Sequence, residues 1–106
     1  MMKKQILFIQ EGGEGAYEED GNLVAYLRNA LGAVYEVLYP KMPNESDPDY
    51  EPWKVQIKKE LAALEGKVIL IGHSLGGSFL LKYVTEQLYA PQLAIGDAVG
   101  AVGGGA

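Results

Sequence analysis

Residues 68–77, Val68-Ile69-Leu70-Ile71-Gly72-His73-Ser74-Leu75-Gly76-Gly77, decide how this chain folds. Four apolar residues, two of them isoleucine, stop at a glycine, and an apolar helical pattern begins at Leu75. A continuous apolar run of this length predicts a strand buried on both faces, as in a parallel sheet covered by helices. The residues in between spell Gly-x-Ser-x-Gly, at the point where the strand hands over to the helix. A turn that sharp strains the serine backbone. Side chains two before and two after it would collide, which requires Gly72 and Gly76 at those positions. Such a turn lifts the Ser74 hydroxyl above the C-terminal edge of the sheet. It also leaves the Leu75 N–H at a helix N-terminus, aimed where an oxyanion would form.

Upstream, Gln5-Ile6-Leu7-Phe8-Ile9 reads as another strand buried on both faces. It runs into Gln10-Glu11-Gly12-Gly13-Glu14-Gly15, a loop whose glycines allow tight or left-handed backbone. Asp20 then reads as a helix N-cap, with Leu23, Val24, Leu27, Ala30 and Leu31 as one apolar stripe and Gly32 as the stop. A second strand, Val34 to Tyr39, alternates only partly, as an edge strand does. Pro40 to Pro52 reads as an exposed loop, and Pro52 suits the first turn of a helix carrying Trp53, Ile57, Leu61 and Leu64 on its apolar side. The acidic 45–51 stretch reads as solvated and Trp53 as core. The third helix is expected from Leu75 to Leu88.

Strand and helix alternate three times, the pattern of an α/β fold with right-handed crossovers. The reading is a three-layer domain over residues 1–88 with a parallel sheet of three strands. Leu93-Ala94-Ile95 is a possible short fourth strand, within a Gly/Ala-rich tail at 89–106. Without that pairing the outer side of the third strand would stand open, and an unpaired apolar edge invites self-association.

One domain is also all that 106 residues allow. Nine basic against 14 acidic residues give a net charge of −5. That balance excludes a nucleic-acid or anionic-membrane surface, since both need a basic stripe. The absence of Cys removes disulfides and thiol catalysis, and the single His, His73, leaves no His-rich metal set, so no metal or cofactor is expected. No apolar run approaches the roughly 20 residues of a membrane span, and the expectation is a cytoplasmic protein. A nucleotide site fails as well. Gly13-Glu14-Gly15 lacks a third glycine at the required offset, and the surrounding acids repel phosphate.

The loop after the first strand belongs beside the Ser74 turn, where a backbone N–H of Glu11 or Gly12 supplies a candidate second oxyanion donor. With these residues the chain resembles the α/β-hydrolase family, and most of all the small bacterial serine hydrolases related to retinoblastoma-binding protein. The resemblance is carried by Ile6 to Gln10 with Gly12 to Gly15, by Tyr39-Pro40-Lys41-Met42-Pro43-Asn44, and by Val68 to Gly77, over about residues 3–88. Such proteins commonly have a further Gly where this chain has Glu11.

The resemblance implies that the first strand lies between the second and third, and that Ser74 is the nucleophile of a Ser-Asp-His triad acting on a small ester or acyl substrate. The family's acid and histidine follow later strands. Thirty-two residues follow Ser74 and none is His, while Asp97 has no imidazole to orient. His73 is expected to pack beside the sheet. The chain therefore reads as a truncated hydrolase-like domain of weak or no activity. The alternatives are a non-catalytic protein-interaction domain of the same fold and, more distantly, a flavodoxin-like ligand-binding domain in which Ser74 only caps a helix.

Overall fold

The computed structural model describes residues 3–88 and 98–104. Four strands form one sheet: β1 (Lys4–Ile9), β2 (Tyr35–Leu38), β3 (Val68–His73) and β4 (Ala98–Gly104). Their spatial order is β2-β1-β3-β4 and every neighbouring pair is parallel. The connections are α1 (Ala16–Leu31), α2 (Tyr50–Ala62) and α3 (Leu75–Leu88), with a short 3₁₀ turn over Gly32–Val34. This is the expected α/β architecture, with β1 between β2 and β3.

Alternation along the central strands divides the core in two. Ile6 and Phe8 of β1 face α1, packing with Val24 and Val37 and with half-buried Leu27, Leu31, Ile69 and Ile71. Leu7 and Ile9 point the other way, into a cluster with Met42, Trp53, Ile57, Leu70, Leu80 and Tyr83 beneath α2 and α3. Both faces of β1 and β3 are thus covered, which explains why their sequences are apolar without interruption. Trp53 is fully buried and donates its Nε1–H to the Pro43 carbonyl at 2.7 Å, so it is a core residue, as expected.

Two expectations are corrected and one element is added. First, α1 begins at Ala16, four residues before the proposed cap. Its cap comes from elsewhere in the chain. The Glu45 carboxylate accepts the N–H groups of Gly15 (3.1 Å) and Tyr17 (2.9 Å), so no local capping side chain is needed. Asp20 instead occupies an inward position of the helix with Ala16 and Val24. Second, β2 is confined to Tyr35–Leu38, because Gly32–Val34 coils into the 3₁₀ turn. Third, the strand that covers the outer side of β3 is Ala98–Gly104, with one register shift at Val68/Ile69. The proposed 93–95 strand lies outside the described residues. Gly103 and Gly104, too entropic to order alone, align with Gly72 and His73 of β3. No helix among the described residues is long and apolar enough to cross a membrane.

Candidate active site

The handover from β3 to α3 is as tight as its sequence predicts. Ser74 sits at φ 53°, in the left-handed region, and Asn44 is the only other non-glycine residue so placed among the described residues. Left-handed backbone costs a side-chain-bearing residue roughly 1–2 kcal/mol. The flanking glycines make that turn possible. A Cβ on Gly72 would stand 2.4 Å from the Gly77 backbone, and one on Gly76 would stand 2.2 Å from the Gln10 carbonyl and 2.4 Å from that of Ile9. Helix α3 therefore starts with its backbone pressed against the end of β1. Its first internal bond runs from the Ser78 N–H to the Ser74 carbonyl (3.1 Å), leaving the amides of Leu75, Gly76 and Gly77 without i−4 partners inside the helix.

That same packing brings the Gly-rich loop alongside. A Cβ on Gly12 would lie 2.7 Å from Leu75 Cδ2 and 2.8 Å from Pro48 Cγ. Gly12 is thus wedged between the residue after Ser74 and the 40–49 loop. Four polar residues fix this arrangement. Gln10, fully buried, accepts the Met42 N–H on Oε1 (2.7 Å) and donates from Nε2 to Glu45 Oε1 (2.9 Å) and the Glu11 carbonyl (3.2 Å). The Glu45 backbone carbonyl takes the Gly13 N–H at 2.6 Å. Tyr17 and Tyr39 stack at 4.4 Å, and each hydroxyl donates to the other's carbonyl. Burial, followed by the nearby Asp20 charge, pushes the Tyr39 phenol above its ordinary range and keeps it neutral.

Beside Ser74, the His73 ring leaves the core and is roughly one-third exposed. Its Nδ1 faces two carboxylates, Glu11 Oε2 at 2.8 Å and Asp20 Oδ1 at 3.0 Å. Asp20, almost fully buried, also accepts the Glu11 N–H on Oδ2 at 2.9 Å. Of the two backbone amides proposed as a second oxyanion donor, that of Glu11 is thus committed to Asp20. The Gly12 amide is the one left to consider.

The structure brings Ser74, Leu75, Gly12, Gly72 and Gly76 together at the C-terminal edge of the sheet. Sequence reasoning missed the residues that hold them: Gln10, Asp20 and Glu45. For Asp20 a signal existed, since Ala16, Asp20 and Val24 share one helical face and a carboxylate in an apolar slot needs a partner. Glu45 had no local signal, because its partners lie about 30 residues away. The 45–51 stretch is exposed at Ser46, Asp47, Asp49 and Glu51, as expected of a solvated loop. It is anchored through Glu45 and contributes Pro48 to the rim of the site.

A family model described as "Serine hydrolase" matches residues 23–95, well over half of the chain. The matched span contains the Ser74 turn and omits the Gly-rich loop, whose part in the site rests on geometry alone. Comparison with curated proteins and with solved structures returns no match.

Proposed function

The chain belongs to the serine hydrolase family, and on that footing we propose that it carries the nucleophile half of an ester- or acyl-cleaving site centred on Ser74. The observation that carries the reading is Ser74 itself, a left-handed serine between β3 and α3 with glycine enforced on both sides. In this reading Ser74 Oγ attacks a carbonyl carbon while its proton passes to a base. The negative charge that develops on the carbonyl oxygen is met by the N–H groups of Leu75 and Gly12. Collapse of that intermediate expels the alcohol and leaves an acyl-serine, which water then cleaves.

Preorganisation supports these assignments. The Leu75 amide lies at a helix N-terminus, and the Gly12 loop is pinned by Gln10 and Glu45, so neither donor has to move when charge appears. The base is a separate matter. The only histidine of the 106 residues directs its Nδ1 at Glu11 and Asp20. The proton acceptor is therefore proposed to be a histidine supplied from outside these residues. Without one, a triad enzyme loses roughly 10⁴- to 10⁶-fold in rate and keeps about 10³-fold over water from binding and the oxyanion hole.

A fluorophosphonate probe tests the assignment. Labelling of the wild-type protein that is absent in Ser74→Ala is the expected result. Equal labelling of both proteins would remove Ser74 from the chemistry. Complete absence of labelling, with the fold intact, would move the chain to the non-catalytic interaction reading.

A further inference from the structure

Glu11, Asp20 and His73 come from three different segments: the loop after β1, the second turn of α1 and the last residue of β3. Their donor atoms all lie within 4.8 Å of one another. Three carboxylate oxygens approach one ring nitrogen: Glu11 Oε2 at 2.8 Å, Asp20 Oδ1 at 3.0 Å and Asp20 Oδ2 at 3.2 Å. Nδ1 carries at most one proton, so it cannot serve both carboxylates at once. Whichever takes the proton, the other faces the ring without one. Asp20 is the costly member of the pair, because its side chain is only 6% exposed. Among the described residues neither carboxylate is ion-paired to a lysine or arginine. The cluster is short of positive charge, and its donor atoms converge on one point.

We propose that Glu11, Asp20 and His73 bind one divalent transition-metal ion, of which Zn²⁺ is the best chemical match. One imidazole nitrogen with two carboxylates suits zinc, cobalt or nickel better than magnesium or calcium, which prefer all-oxygen surroundings. Zinc with ligands at about 2.0–2.1 Å holds neighbouring donor atoms roughly 3.4 Å apart, so small outward shifts admit the ion. Three protein ligands leave a fourth position open to water. The Glu11 N–H, bonded to Asp20 Oδ2, orients the buried ligand from behind. On binding, Nδ1 offers its lone pair to the metal while the ring N–H stands on Nε2. The ion would cross-link three segments one residue before Ser74. The proposal is independent of the catalytic reading, since it requires nothing of the serine.

Calorimetric titration of the protein with ZnCl₂ alone tests it, run in two buffers of different ionisation enthalpy. The expected result is a saturable one-to-one isotherm in both buffers, and no such isotherm with MgCl₂. Glu11→Gln, at a side chain 32% exposed, is expected to weaken Zn²⁺ binding by roughly tenfold or more without unfolding the chain, and His73→Gln likewise. In the wild-type protein the His73 ring signals in the NMR spectrum shift on adding Zn²⁺. Absence of saturable Zn²⁺ binding by the folded protein would overturn the proposal and leave a proton as the sole occupant. Binding that neither variant weakens would overturn it too, by placing the ion elsewhere.

Discussion

Asp20 Oδ1 stands 3.0 Å from His73 Nδ1, and the other oxygen of the same carboxylate holds the Glu11 N–H at 2.9 Å. One side chain inside α1 therefore fixes both the residue before Ser74 and the loop that runs past Gly12. Asp20→Ala would strand the Glu11 backbone donor and leave His73 Nδ1 with Glu11 as its sole carboxylate partner. A loss of about 2–3 kcal/mol in urea-unfolding stability is expected, with Asp20→Asn losing less because it keeps an acceptor. Equal, small losses for both variants would show that the carboxylate is not what joins these segments.

Glu45 makes stability depend on acid. The Tyr17 amide, then the Gln10 side chain and the Gly15 amide, stabilise its charged form and hold its carboxyl below the usual range. A group depressed in this way contributes stability that is fully present above its unfolded pKa, about 4.3 for Glu, and is lost as pH falls through the folded value. Glu86, bonded to Tyr50 and Lys54, is shifted in the same direction. Urea midpoints measured down the acid limb are expected to fall less steeply in Glu45→Gln than in wild type, and less steeply still when Glu86→Gln is added. Parallel acid limbs in all three proteins would contradict the sign.

The strands β1 and β3, and the Ser74 turn between β3 and α3, were legible because each is written in consecutive residues. Apolar runs buried on two faces, and glycines where a Cβ has no space, leave a local trace. The supports of the site leave none. Gln10 meets Met42 and Glu45 across more than thirty residues, and His73 meets Asp20 across more than fifty. Asp20 was misread for a related reason. An acid ahead of an apolar stripe looks like a cap, and the true cap, Glu45, is remote in sequence. Ala98–Gly104 was not legible as a strand because its glycines and alanines have weak β propensity, and it is its parallel pairing with β3 that organises it.

Three glycines separate space from propensity. Gly21 lies within α1 with nothing inside 4 Å of an added Cβ, so Gly21→Ala is expected to stabilise the fold by about 0.5–1 kcal/mol. Gly76→Ala and Gly72→Ala push a methyl into backbone atoms that cannot swing aside, and each is expected to cost about 3 kcal/mol or fail to fold. Thermal or urea unfolding of the three variants side by side checks the ordering. A tolerated Gly76→Ala would mean that α3 does not rest on the end of β1.

Ser74 permits a test of strain that does not depend on any activity. Ser74→Ala and Ser74→Gly both remove the hydroxyl, so both are expected to lose fluorophosphonate labelling. They differ in backbone freedom. At φ 53° alanine keeps the clash between Cβ and its own backbone, whereas glycine enters that region without penalty. Glycine also has more entropy to lose on folding, which offsets part of the gain. The strain relieved, roughly 1–2 kcal/mol, exceeds that offset, so Ser74→Gly is expected to be more stable than Ser74→Ala by about 1 kcal/mol. At an ordinary right-handed or extended position the order reverses and alanine is the more stable. The sign of that single difference, read from two urea-unfolding curves, therefore reports whether the hydroxyl is carried on a strained turn or merely caps a relaxed helix.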